Sequence, residues 1–312
     1  MFDIIRYTSQ KAGEWNEFVT KSKNGTFLLH REYMDYHSDR FEDYSLMFYR
    51  DGVLYALLPA NAEGDVLCSH RGLTYGSVLM QENATAEKIQ QLFLELNDYL
   101  RRAGFHRVVY KTVPHIFHRI PAEEDWFSLF SVCRAQLVDR SLSSAIDLCK
   151  PVKWHRDRKY GINKARNNGV TVGESNDWAG FWAVLEENLR HKYGAKPVHS
   201  LQEILLLSSR FPENIRLFTA CKDSRILGGT VIYVTPTVAH AQYISASLEG
   251  KQLRVIDALF DYLLHECQWD ARYFDFGTSN EEDGHILVEP LIYQKEGFGG
   301  RGVCYDCYEW DL

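Results

Sequence analysis

No stretch of the 312 residues carries the roughly 18 consecutive apolar side chains that a helix needs to cross a bilayer. The opening MFDIIRYTSQKAGEW is charged at its third residue and has no apolar core of about 7–15 residues, so it does not read as a secretory leader. Three motifs are also missing: the GxSxG elbow, the GxxxxGK(S/T) loop and the GxGxxG fingerprint. Their absence argues against a serine hydrolase, a P-loop ATPase and a Rossmann dehydrogenase. Positive charge is in deficit, 35 Lys and Arg against 42 Asp and Glu. With a net charge of −7 the protein as a whole is not drawn to polyanions, and no DNA partner is expected. The cysteines are odd in number and scattered (Cys68, Cys133, Cys149, Cys221, Cys267, Cys304, Cys307), mostly inside apolar runs, as reduced core thiols are. That usage points to the cytoplasm. Cys304 and Cys307 lack a second pair or a nearby His, and their odd separation on a strand turns them to opposite faces, so no metal is expected. His115 and His118 likewise have no neighbours to complete a ligand set.

What the chain has in plenty is aromatic residues: 18 Tyr, 17 Phe and 7 Trp, which suit grooves for sugars, peptides or acyl chains. The length fits two domains of about 150 residues each. Asp51-Gly52, between Ser45–Arg50 and Val53–Ala60, predicts a hairpin, and Asp223-Ser224, between Arg216–Cys221 and Ile226–Thr235, predicts a second. Ile89, Leu92, Leu94, Leu96 and Leu100 predict an amphipathic helix stopped by Gly104, with a strand at Arg107–Lys111 after it. In the second half, helices are expected at Trp178–Glu187 and Leu201–Ser209, then a strand Ala239–Ala246, a helix Arg254–Cys267 and a strand Arg272–Gly277. The order hairpin, strand, helix, strand thus appears twice. It predicts an α/β (α+β) protein of two similar domains, 1–150 and 151–312, with the active cleft between or across them. At the join, Lys150, Lys153, Arg156, Arg158, Lys159, Lys164 and Arg166 face a single acid, Asp157, before Asn167-Asn168-Gly169 caps the segment. This is either a solvated connecting helix or a cationic rail for phosphates.

The last quarter carries the chemistry. A strand that runs into a helix N-terminus delivers unpartnered backbone N–H groups, a natural site for a pyrophosphate. Gly250, Lys251, Gln252 and Arg254 stand at that junction, where an ordinary polar turn is the alternative. His240 and Tyr243 are three apart, so a regular strand sends them to opposite faces. His240 is the candidate for taking a proton from an amine near neutral pH, with a structural histidine as the other reading. Asp275, a carboxylate within YFDFG, needs a partner or a role. Lys295 is placed to stabilise an oxyanion.

Three passages resemble the Fem-type branch of the GNAT acyltransferase superfamily. RKYGINKARNNGVTV resembles its basic helix and Gly-Val strand, and SHRGLTYGSVLM the first-domain stretch lining the acceptor cleft. YFDFGTSNEEDGHILVEPLIYQKEGFGG resembles its Asp-Phe-Gly strand and closing Phe-Lys-x-x-Phe-Gly segment, with Lys295, Phe298 and Gly299 on matching positions. The likeness runs in order through nearly the whole chain. It implies two tandem GNAT-like domains, each a mixed, mostly antiparallel sheet flanked by helices, with the donor site in the second. The implied reaction is direct N-acyl transfer, without a metal, to an amine on a sugar, nucleotide-sugar or peptide, in cell-wall or polysaccharide synthesis. The implied donor is acyl-CoA or, as the alternative, aminoacyl-tRNA; the net −7 charge weighs against tRNA and the basic segment Lys153–Arg166 weighs for it. The roles that follow are His240 as base, Asp275 as its orienter or substitute, and Lys295 neutralising oxyanion or phosphate. Gly250, Lys251, Gln252 and Arg254 would hold donor phosphates, and His70, Arg71, Tyr75, Lys192, His199 and Tyr243 the acceptor. Two family features differ here: the pyrophosphate signature Arg/Gln-x-x-Gly-x-Gly/Ala is reduced to Glu249-Gly250-Lys251-Gln252, and no long helical hairpin interrupts the second half. A catalytically silent module for glycans or partner proteins is the reading from a different class.

Overall fold

The computed structural model describes residues 1–312, with the side chains of all but Lys192 and Tyr193. The chain forms two compact units, one of residues 1–142, 280–286 and 303–312, the other of residues 143–279 and 287–302. The final segment 303–312 therefore belongs with the first unit, where a division at residue 150 would assign it to the second.

The first unit contains β1 (Asp3–Arg6), α1 (Ala12–Lys21), β2 (Leu46–Arg50), β3 (Val53–Leu58), β4 (Val66–Cys68), β5 (Leu79–Met80), α2 (Ala86–Arg102) and β6 (Arg107–Lys111). One antiparallel sheet has the order β1-β2-β3-β5. Its expected hairpin turn is made by Asp51 and Gly52, both at positive φ (51° and 76°), as a tight primed turn requires. β6 pairs in parallel with β4 and antiparallel with Cys307–Asp311. α2 buries Ile89, Leu92, Phe93, Leu96 and Leu100, a stripe of i, i+3, i+4 spacing, in one cluster with Trp310. Leu94 is not part of that stripe: it lies about 200° around the helix from Leu92, is 56% exposed, and Phe93 takes the inward place.

β7 (Gln136–Asp147) leads into the second unit, which holds α3 (Arg156–Asn167), β8 (Thr171–Glu174), α4 (Trp178–Tyr193), α5 (Leu201–Arg210), β9 (Ile215–Lys222), β10 (Arg225–Val234) and β11 (Val238–Ala246). After these come α6 (Leu248–Leu253), α7 (Val255–His265), β12 (Tyr273–Thr278), α8 (Glu289–Gly297) and the start of β13 (Arg301–Asp311). The strand order is β8-β9-β10-β11-β12-β7, antiparallel except for the parallel β11–β12 pair. Phe218, Ile232, Ala241, Phe274 and Phe276 project from one face into a core with Leu259 and Phe260 of α7 and Phe298. α4 packs on β10 and β11. The repeated order is present in both units, as β2-β3, β5, α2, β6 and as β9-β10, β11, α7, β12. The helix expected from Arg254 to Cys267 is α7 alone; α6 is a separate short helix, broken from it at Arg254, whose φ is 63°.

Candidate active site

β11 and β12 stay paired through Val238↔Tyr273, Ala239↔Phe274 and His240↔Asp275, where the parallel register ends, while β11 continues to Ala246 alongside β10. Opposite residues of paired strands point to the same face, so His240 and Asp275 project together. A second feature decides what joins them. Along β10, Val231 pairs with Tyr243 but the next residue, Ile232, pairs with Ala241, leaving Gln242 as an extra residue in a β-bulge. His240 sits opposite Tyr233, so it and Tyr243 have partners two apart and share one face. The opposite-face expectation fails because it assumed a regular strand.

The three residues with expected chemical roles come together. His240 Nδ1 lies 2.7 Å from Asp275 Oδ2, and Ser143 on β7 donates its hydroxyl to Asp275 Oδ1 at 2.5 Å. Asp275 is fully buried and the His240 side chain is 14% exposed. Lys295, in the last turn of α8, donates from Nζ to the carbonyls of Gly277 (2.8 Å) and Thr278 (2.6 Å), just beyond Asp275. Burial pushes its ammonium down to about 8, and the negative charge of Asp275 works against that shift. Phe298, fully buried and stacked on Phe276 with ring centroids 5.9 Å apart, anchors the helix end that delivers Lys295. Gly277 has φ 78°, and a Cβ there would lie 3.6 Å from His240 Cε1, so the pinned turn lies against the imidazole. Close by on β11, the Tyr243 hydroxyl meets His199 Nδ1 at 2.5 Å and accepts from the His199 backbone N–H at 3.2 Å, and Trp182 of α4 lies edge-on to the Tyr243 ring.

The expected phosphate cradle is built differently. The Gly250 N–H is already capped by the Ser247 hydroxyl at 3.0 Å, and a Cβ at Gly250 would stand 2.3 Å from the Leu227 carbonyl oxygen, so this glycine serves a close packing contact. Arg254 binds Asp157 through Nη2 at 2.9 Å and Asp257 through Nε. Lys251 reaches Asn188 Oδ1 at 2.5 Å, and Gln252 is exposed. Thus Gly250 and Arg254 are engaged within the fold, while the side chains of Lys251 and Gln252 are exposed. Among the first-unit acceptor candidates, His70 and Tyr75 are core residues at 3% and 2% exposure, Tyr75 against Phe117 and hydrogen-bonded to Thr26, because their rings complete an aromatic core. Arg71 reaches the surface and pairs with Glu63 at 3.2 Å. Lys192 lies outside the residues whose side chains are described.

Sequence reasoning missed Ser143. Nothing in SLSSAIDL separates it from Ser141 or Ser144 until the register of β7 is known.

The burial of His70 has a measurable consequence. Desolvation, with the neighbouring His37 ring, pushes its imidazole from 6.5 to about 3. As pH falls below 6.5 the unfolded chain takes up a proton that the folded one refuses, so stability present above 6.5 is lost on the way down towards 3. Asn also tolerates the positive φ of 56° at this position. His70→Asn is expected to flatten the acid limb of denaturant-derived stability between those values. An unchanged slope counts against a neutral buried His70.

Residues 155–283 match the family model for the acetyltransferase (GNAT) domain. No curated protein matches the sequence. The fold is similar to that of the FemX crystal structure, with TM-score 0.68 at 11% identity over 99% of this chain and 97% of that one. A conserved protein of unknown function from Bacteroides thetaiotaomicron has TM-score 0.65 at 12% identity over the full length of both chains (100% and 100%). A tandem GNAT protein from the clavulanic acid biosynthesis pathway has TM-score 0.54 at 12% identity over 100% and 98%. At such identities the solved structures speak for the fold, and the family match covers both His240 and Asp275. Residues 155–283 thus match a GNAT acetyltransferase domain, and the chain as a whole has a fold similar to those of FemX and of a tandem GNAT protein.

Proposed function

We propose that the protein transfers an acyl group from acyl-CoA directly to an amine on a sugar, nucleotide-sugar or small peptide, with His240 as the base. The observation that supports this is the 2.7 Å His240–Asp275 contact at the point where β11 and β12 part. An amine must shed a proton as it attacks, and an imidazole is the side chain suited to receive it near neutral pH. Asp275 on Nδ1 orients the ring and leaves Nε2 as the proton acceptor. The Lys295 ammonium has three N–H donors; Gly277 and Thr278 take two, and the third is offered to the carbonyl oxygen as it gains charge. Tyr243 and His199, on the His240 side of the sheet, contact the acceptor. Lys251 and Gln252, with solvent-facing side chains, approach the donor phosphates. The tandem GNAT protein of similar fold was solved without AcCoA, and the pairing of that fold with AcCoA in its name supports acyl-CoA as the donor here. We place the enzyme in the cytoplasm, in cell-wall or polysaccharide synthesis, with its cysteines as free thiols. No helix among the described residues is long and apolar enough to cross a membrane.

A second reading, with aminoacyl-tRNA as donor, is favoured by Lys153, Arg156 and Lys159, all exposed at the start of α3. A tRNA donor predicts activity that falls steeply with salt and with RNase, and acyl-CoA predicts neither. Saturating acetyl-CoA at about 100 times its Kd is expected to stabilise the protein by about 2.7 kcal/mol, read as a rise in Tm. Amines such as glucosamine are then expected to draw thiol release from it. Absence of both responses removes the acyl-CoA assignment.

A further inference from the structure

We propose that Ser143 is a positioning residue for this site, acting on the imidazole of His240 through Asp275; this rests on the transfer chemistry proposed above. The register of β7 carries the argument. Ala145 lies opposite Asp275 and Ser143 opposite Thr278, so three residues on β12 span two on β7 and the extra one is absorbed at the Gly277 turn. Ala145 and Ser143 are two apart on β7 and share the face from which Asp275 and His240 project. Ala145 has no polar atom to offer. Ser143 is thus the β7 side chain that meets the carboxylate, at 2.5 Å from Oδ1, while His240 holds Oδ2 at 2.7 Å. Both oxygens are engaged by different strands, and Ser143 and Asp275 are each fully buried.

A buried carboxylate with one oxygen unsatisfied is costly, and it relieves that cost by rotating or by taking up a proton. Either response releases the imidazole or reverses the hydrogen bond to it. The Ser143 proton blocks both, so Asp275 remains an acceptor, His240 keeps its proton on Nδ1, and Nε2 carries the lone pair. The adjacent serine supplies the contrast. Ser144 Oγ is buried with no hydrogen-bond partner among the described residues, and its side chain lies on the other face of β7. The hydroxyl at 143 is therefore not one of an interchangeable run.

The test reads the tautomer first. A long-range 1H–15N spectrum of the wild-type protein, with His240 assigned through His240→Gln, is expected to show a protonated Nδ1 and a bare Nε2. Ser143→Ala is expected to lose that pattern, and Ser143→Thr and Ser144→Ala to keep it. In thiol release from acetyl-CoA with glucosamine as the amine, Ser143→Ala is expected to lower kcat by at least about tenfold with KM for acetyl-CoA unchanged, since an orienting role acts on the proton transfer alone. A protonated Nε2 in the wild type overturns the proposal. So does a Ser143→Ala protein that keeps both the tautomer and kcat. If Ser143→Ala does not fold, the wild-type spectrum and Ser143→Thr decide. If the wild type and Ser144→Ala release no thiol with any amine, the transfer reading fails, and the tautomer still decides the role of Ser143.

Discussion

Replacing His240 by alanine is expected to lower kcat by about 10²- to 10⁴-fold, the contribution of a positioned general base. Binding of acetyl-CoA, measured by calorimetry, is expected to stay near the wild-type value. The substitution also removes the partner that His240 gives Asp275 Oδ2 in a fully buried site, so the thermal midpoint is expected to fall as well, and kcat is compared at a temperature below it. Asp275→Asn is expected to follow it in kcat for a different reason. An amide at that position presents N–H towards Nδ1 or turns away from Ser143, and in both cases the imidazole loses the tautomer that leaves Nε2 bare. Preserved turnover in His240→Ala ends the assignment of the base. A wild-type protein that binds acetyl-CoA but releases no thiol with any amine points instead to the silent binding module.

The largest loss of stability is expected from Asp257→Ala. Asp257 is 2% exposed and accepts from Arg158 Nη1 at 2.6 Å and from Arg254 Nε. Burial raises its carboxyl above the ordinary range, and the two guanidinium groups pull it back. Asp157 bridges the same pair, holding Arg158 Nη2 at 2.5 Å and Arg254 Nη2 at 2.9 Å. Removing Asp257 leaves Arg158, itself 6% exposed, with one carboxylate instead of two. Breaking a buried pair in this way costs about 3–5 kcal/mol, read as a lower denaturant midpoint at constant slope. The exposed pair between Arg225 and Glu249 provides the comparison, and Arg225→Ala is expected to cost no more than about 1 kcal/mol. Equal costs for the two variants would mean that the buried network contributes no more than a surface contact. Because Arg254 belongs to this network, the same measurement bears on whether it holds the fold together or waits for a phosphate.

The pattern of apolar residues and the two primed-turn dipeptides made most of the secondary structure legible, because both act through local geometry. Arg107–Lys111 forms the strand expected of it, and the doubled order of hairpin, strand, helix and strand is present in both units. His240, Asp275 and Lys295 were each legible as polar groups in surroundings that do not favour them. What stayed hidden depends on pairing across distant parts of the chain. The bulge at Gln242 is set by its partner strand, and it alone turns His240 and Tyr243 to one face. Ser143 gains its meaning from Asp275, 132 positions away. The composition of the Gly250–Arg254 junction suits an anion, and that Ser247, Asp157 and Asp257 engage Gly250 and Arg254 was not visible in the run itself. Leu94 shows the same limit at short range, since composition alone did not place it outside the buried stripe.

Residues 303–312 complete the core of the unit that begins at Met1, with Trp310 packed among Phe93, Tyr110 and the α2 residues. During synthesis that tryptophan follows α2 by more than two hundred residues. The part of the α2 stripe that Trp310 covers must therefore wait for it, for roughly ten to forty seconds at about 5–20 residues per second. An early half kept in suspense until residues 303–312 arrive is a natural client for a holding chaperone. It also makes a premature stop anywhere in the later half a defect of the earlier one.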